Sequence, residues 1–180
     1  GGYTFNTVTA PHTIAASFTA VQTYVLTINT VNGSVIKSVN DTVTTATSFS
    51  PGTVVELAAT PSTGYNFVNW SGDLTGSANP GSIAMNVDKA VTANFIIKTY
   101  AITASAGTGG AINPTGAVSV NHGASQAFSV TANSGYNINQ VLVDGVAQTL
   151  TAGVYTFSNV TATHTIAASF TAVQTYVLTI

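Results

Sequence analysis

Residues 153–180 read GVYTFSNVTATHTIAASFTAVQTYVLTI, and residues 1–28 read GGYTFNTVTAPHTIAASFTAVQTYVLTI. Only positions 2, 6, 7 and 11 of the first copy differ, so 24 of 28 residues match at an offset of 152. Near-identity over that length marks a recent duplication, and a fixed period decides the architecture before any local pattern does. Half the offset, 76, is present too: Tyr24-Val-Leu-Thr-Ile28, Tyr100-Ala-Ile-Thr-Ala104 and Tyr176-Val-Leu-Thr-Ile180 start 76 residues apart. Residues 52–65 align without gaps on 123–136, which sets Asp73 on Asp144; residues 91–95 align on 166–170 and on 14–18. The chain therefore divides into the C-terminal part of a B-type repeat (1–21), an A-type repeat (22–98), a B-type repeat (99–173) and the start of another A-type repeat (174–180). Both ends cut through a repeat, so the sequence is expected to continue in both directions.

Within each repeat the local signal is alternation with a period of two, which belongs to half-buried strands. Tyr24, Leu26 and Ile28 share a face, as do Val55, Leu57 and Ala59, and Val91, Ala93 and Phe95. Turn residues separate these runs, among them Asn32-Gly33, Pro51-Gly52, Asn79-Pro80-Gly81, His122-Gly123 and Asp144-Gly145. Asp-Gly between Val143 and Val146 suits a primed two-residue hairpin turn. No segment carries a helical stripe. The pattern predicts an all-β chain of tandem small antiparallel modules of about 76 residues, with about six short strands in each. Strands are expected near 24–30, 53–60, 65–70 and 90–97, echoed near 100–105, 124–132, 136–143 and 164–172. The predicted core is Tyr24, Leu26, Leu57, Phe67, Trp70 and Phe95 in the A repeat, and Tyr100, Ile102, Phe128, Val130, Ile138 and Phe170 in the B repeat. The junctions between Phe18 and Tyr24, Phe95 and Tyr100, and Phe170 and Tyr176 contain no Gly or Pro. A flexible tether would be rich in Gly and Ser, so the expectation is a stiff rod with rigid, partly buried junctions.

Composition narrows the function classes. Of 180 residues only 4% are charged, against about 25% in ordinary soluble domains. The formal net charge is −2, with three Lys or Arg residues in all. So few cations cannot neutralise a run of phosphates, which excludes nucleic acid as a partner. Polar residues interrupt every apolar run, so no membrane-inserting helix is expected in this segment. Cysteine is absent, which removes disulfides and thiolate metal sites. Thr (31), Ser (16) and Asn (15) fill the surface in place of charge.

The chemistry-bearing residues are scattered. Asp41, Glu56, Asp73, Asp88 and Asp144 fall at about one per strand or turn, where carboxylates bond local backbone. His12 and His164 are equivalent, and Lys89 replaces them in the A repeat; neither ligation nor catalysis tolerates that exchange. His122 lies in a turn. There is no nucleophile elbow, phosphate loop or metal-ligand spacing, so the chain is expected to be neither an enzyme nor a cofactor or metal binder. Lys37 beside Asp41 or Glu56 is the one conceivable isopeptide cross-link, and the B repeat has no Lys after Lys98 with which to repeat it. Trp70, the sole Trp, could stack on a sugar ring if exposed. Its equivalent is Val141, an exchange that suits a core position. Asn40, Asn69 and Asn159 head N-x-S/T sequons and are candidate glycosylation sites.

Gly64-Tyr-Asn-Phe-Val-Asn-Trp-Ser-Gly-Asp73, followed by Met85-Asn-Val-Asp-Lys-Ala-Val-Thr-Ala-Asn-Phe95, resembles the divergent internalin-B-type repeat, a tandem module of bacterial surface and secreted proteins. The B repeat departs from the pattern at Ile138 and Val141 but keeps Gly135-Tyr136 and Ile166-Ala-Ala-Ser-Phe170. The resemblance implies a β-grasp-like or small sandwich module, an extracellular or cell-surface location, and no catalytic residues.

A surface this poor in charge resists edge-to-edge association weakly. Either other copies of the chain cover it or glycans do. The reading that follows is a structural repeat region of an extracellular prokaryotic filament, sheath or stalk, self-assembling through uncharged Thr-rich β surfaces. The competing reading is a repetitive adhesin that binds glycan or protein on another surface.

Overall fold

The computed structural model describes residues 2–4 and 6–176. Among them there is no helix. The A repeat carries β1 (Tyr24–Thr30), β2 (Gly33–Val39), β3 (Thr42–Thr44), β4 (Ser48–Phe49), β5 (Thr53–Pro61), β6 (Tyr65–Gly72), β7 (Gly81–Met85) and β8 (Lys89–Ile97). The B repeat carries β9 (Thr99–Ala106), β10 (Gly110–Asn113), β11 (Gly116–Asn121), β12 (Gln126–Ala132), β13 (Tyr136–Val143), β14 (Val146–Gln148), β15 (Val154–Phe157) and β16 (His164–Ala172). Each repeat thus has eight strands where alternation predicts about six. The extra ones are short: β3, β4 and β14 have two or three residues each.

Each repeat is a small two-sheet sandwich. In A the sheets run β4-β1-β8-β6 and β3-β2-β5-β7; in B they run β11-β9-β16-β13-β14 and β10-β12-β15. Strand for strand the orders coincide, apart from β3 in A and β14 in B, which are added as hairpins on sheet edges. Duplication of one fold accounts for this. Most pairings are antiparallel, and each repeat has one parallel pair, β1 with β8 and β9 with β16. A bulge also recurs at the same place, between Phe67 and Asn69 on β6 and between Ile138 and Gln140 on β13. The hairpin at Asp144-Gly145 forms as predicted, with both residues at positive φ. Asn40-Asp41 makes the corresponding turn between β2 and β3.

Both sheets contribute to each core. Leu26, Val55, Leu57, Trp70, Met85 and Val91 fill the A sandwich; Ile102, Phe128, Val130, Val141, Val160 and Ile166 fill the B one. Tyr24, Phe67, Phe95, Tyr100 and Phe170 pack against these cores half-buried. Phe95 lies over Gly33 and Phe170 over Gly110, so close that a Cβ on either glycine would overlap the ring. Ile138 corrects the predicted core, being 38% exposed. Phe67, its equivalent, reaches across to the Trp70 and Phe95 rings at 5.1 and 5.7 Å, a span the shorter Ile138 lacks.

Residues 12–20 have the same sequence as β16 yet form no strand, and Phe18 is 93% exposed where Phe170 is packed. The partners of β16 are β9 and β13 of its own repeat, and the segment 1–21 brings no such strands with it. Alternation proposes a strand; only a neighbouring ladder completes it. Residues 177–180 of the second A-type onset lie outside the described residues.

Candidate functional site

The carboxylates are committed to backbone. Asp73 Oδ2 accepts from the Ala90 amide at 2.7 Å, and Asp144 Oδ1 accepts from the Thr165 amide at 2.7 Å. Both therefore join the turn after β6 or β13 to the start of the last strand. A basic side chain sits beside each: Lys89 Nζ is 3.8 Å from Asp73, and His164 Nδ1 is 2.7 Å from Asp144 Oδ2. The exchange of His164 for Lys89, read from sequence as excluding ligation and catalysis, keeps a nitrogen-bearing side chain opposite a retained aspartate. The alignment contains that signal, because Asp73 and Asp144 match as well. The His164 hydrogen bond, with the Thr165 amide, holds the Asp144 carboxyl below the usual carboxylate range. Asp88 Oδ1 accepts from the Val25 amide at 2.8 Å, at the start of β1.

Asp144, His164 and Thr165 line an open groove with Ala101, Thr103 and Thr163. The aspartate and histidine are bonded to each other, and among the described residues no third acid or base lines the groove with them. Among the described residues no three His, Asp or Glu side chains cluster as a metal site would require. Lys37 Nζ donates to the carbonyls of Thr45 and Ala46, which occupies it away from Asp41 and Glu56. Trp70 is 2% exposed and its Nε1 donates to Ala78 O at 2.8 Å; it is a core residue, as its exchange with Val141 predicts. Of the sequons, Asn40 and Asn159 stand exposed at positive φ in turns. Asn69 lies on β6 with its Oδ1 accepting from Asn94.

The most developed contact outside the two cores is the junction between them. β8 runs into β9 with Lys98 alone between the strands. The Lys98 amide donates to Gly64 O at 2.8 Å, in the turn between β5 and β6. Its carbonyl accepts from the His122 amide at 2.8 Å, in the turn between β11 and β12. One residue is thus clamped by a turn from each repeat. The His122 ring lies directly on Gly64, leaving no room for a Cβ there, and Gly64 is buried. His122 Nδ1 also meets Tyr100 Oη at 3.4 Å, with the rings 5.9 Å apart. Sequence marks the junction itself. The two turns that grip it, read from sequence only as turns, come from residues 34 and 24 positions away in the chain.

No curated protein and no solved structure matches the chain. Residues 24–99 match the profile of the divergent InlB B-repeat domain, a family typical of bacterial cell-surface repeat proteins. The match spans β1 to β8, ends at the first residue of β9, and includes the aromatic group Phe67, Trp70 and Phe95. Residues 24–99, the A repeat of this tandem β protein, are thus similar to the divergent InlB B-repeat domain.

Proposed function

We propose that the chain is a stretch of the structural repeat region of an extracellular prokaryotic filament, sheath or stalk, whose partners are other copies of itself. The observation that carries this reading is the Lys98 clamp, which fastens one repeat to the next through backbone on both sides. The A–B pair held in that way is one unit, and near-identical copies of that unit repeat the same patches along the array. Weak contacts between such patches add along an array by effective concentration. The surface is consistent with neutral contacts: Val43, Val54, Val146 and Ile96 are exposed, Val43 between Thr42 and Thr44. No catalytic role is assigned to the Asp144–His164 pair, whose equivalent in the A repeat contains Lys89. The adhesin reading loses its aromatic candidate, since Trp70 is buried.

Sedimentation of the full chain across concentration and salt, with electron microscopy of the concentrated sample, tests the assembly. Neutral contacts predict association that persists at about 1 M salt, where the Debye length is near 3 Å. A chain that stays monomeric at millimolar concentration would overturn the filament reading. Retention on a glycan array by that monomer would replace it with the adhesin.

A further inference from the structure

The Lys98 clamp exists where A passes to B, and the residues at the opposite passage, from B to A, differ in a way that prevents its copying. We infer that the exposed turn at Gly135 of the B repeat is the docking surface for the Pro51 turn of a second copy of the A repeat, and that this B-to-A contact is the articulating joint of the array, whereas A and B form one rigid pair.

The equivalences are fixed by hydrogen bonds. Gly52 N donates to Met85 O as Gly123 N donates to Val160 O, and Thr53 N bonds Ser50 O as Ala124 N bonds Asn121 O. The pairing of Tyr24 with Phe49 likewise matches that of Tyr100 with Val120. Pro51 therefore stands where the B repeat has His122. On the other side, Val173 N donates to Gly135 O at 2.8 Å, as Lys98 N donates to Gly64 O. Val173 is the Lys98 of the B repeat.

Three differences then coincide. Proline has no N–H, so Pro51 cannot make the bond that His122 gives to the Lys98 carbonyl. Between Lys98 and Tyr100 lies Thr99 alone, whereas Gln174 and Thr175 lie between Val173 and Tyr176. The residue that takes the amide role, Val173, therefore stands one position further from its tyrosine than Lys98 does. Finally, the tyrosine hydroxyl changes partner. Tyr100 Oη meets His122, while Tyr176 Oη donates to Gln174 Oε1 at 2.8 Å and Gln22 Nε2 donates to Tyr24 Oη at 2.9 Å. The added glutamine supplies what Pro51 cannot.

The receiving surface is visible as well. Gly64 is buried under His122 and Tyr65 is half-buried; Gly135 has nothing within 4 Å of a Cβ position and Tyr136 is 38% exposed. On the A repeat, Pro51 and Gly52 are likewise exposed, with open space at Gly52. A proline ring on the Gly135 turn, beside Tyr136, makes an apolar contact with no backbone ladder to fix its direction. This inference rests on tandem repetition and not on the filament reading; it holds for an array that never associates laterally.

The test is a spin-label distance distribution across the junction. The chain has no Cys, so Val87→Cys and Val146→Cys label one exposed site in each repeat of the full chain. The parent should give a narrow distribution. His122→Pro combined with one Gln inserted between Lys98 and Thr99 turns the A-to-B junction into a B-to-A one, and should at least double the width. Proline is accommodated at this position in the A repeat, so circular dichroism should show both sandwiches folded. Unchanged width in the folded variant would overturn the inference. A second measurement needs no junction variant: the chain continued from Thr175 with another copy of residues 24–175, labelled across B-to-A, should be broader than across A-to-B. Equal widths would overturn the inference too.

Discussion

Trp70→Ala should remove most of the stability of the A repeat. A buried Trp covers about 200 Å² of surface, worth roughly 5 kcal/mol at about 25 cal/mol per Å². The unfolded chain already hides part of that area, which lowers the figure to about 3–4.5 kcal/mol. Loss of the Nε1 bond leaves Ala78 O without its partner, for about 1 kcal/mol more. The expected total is about 4–5 kcal/mol, at the upper end for large aromatic truncations. A domain of this size has roughly 4–11 kcal/mol in all, so the A repeat should unfold at far lower urea while the B repeat keeps its own transition. Trp70→Val should cost less, because Val141 fills the same place in B, yet not zero, because Leu74 and Gly81 close over the indole. The assay is urea denaturation followed by circular dichroism, with the parent's A transition assigned by the fluorescence of its one Trp. A loss below about 1 kcal/mol would refute the packing argument.

Asp144→Asn should destabilise the B repeat by under about 1 kcal/mol at neutral pH, the range of exposed pairs. The folded Asp144 is held below its ordinary value, so its contribution is present above the unfolded carboxylate value, about 3.9, and is lost as pH falls through the folded one. Parent and variant melting curves should therefore converge at acid pH; a gap that persists there would refute the assignment. Gly72→Ala should cost roughly 2–4 kcal/mol, because φ is +92° and a Cβ would meet the Ala90 carbonyl; a neutral effect on A-repeat unfolding would contradict the geometry. Gly110→Ala should displace the Phe170 ring, and a double-mutant cycle with Phe170→Leu should give a coupling of about 0.5–2 kcal/mol; additive effects would show that the ring moves freely.

Strands β1, β5, β8 and their B counterparts were legible because each carries an alternating stripe into the core, and β6 and β13, each broken by a bulge, because turn residues bound them; the predicted bounds fall within two residues of those observed. β2 hid because its burial barely alternates, with Lys37, Ser38 and Val39 all half-buried in succession. β7 does alternate, with Gly81, Ile83 and Met85 buried, but it starts inside the Asn79-Pro80-Gly81 turn signal. The Asn79 side chain there bonds both the amide and carbonyl of Ala59 at 2.8 Å, continuing the ladder where a strand ends. Pairing direction was illegible, since one stripe serves parallel and antiparallel neighbours alike. The junction clamp was illegible for another reason. Its atoms are mostly main-chain, and the sequence betrays it through a proline where the other repeat has a histidine and through one extra residue before Tyr176.

The placement of the carboxylates explains how a chain can do with so few charges. The parallel ladder of the A repeat opens at Leu26 opposite Lys89. Asp88 holds the Val25 amide beside one strand's start, and Asp73 holds the Ala90 amide beside the other's. Parallel pairing needs a long crossover and has no tight turn to set its register. Charge-assisted bonds from carboxylate to amide, roughly twice as strong as neutral ones, supply that register at a site a hydroxyl would serve less well. In the B repeat Asp144 repeats the device at Thr165, while Thr163 stands where the A repeat has Asp88. Three of the five acids thus sit at the starts of the parallel pairings, and B, with a single acid, keeps the one aspartate that both repeats share. Among the described residues only β2–β3 and β13–β14 are hairpins whose register a turn sets; the other antiparallel pairs join non-consecutive strands and rely on their ladders. Their outward faces are then free to be Thr, Ser, Asn and Val, the neutral surface on which the proposed assembly depends.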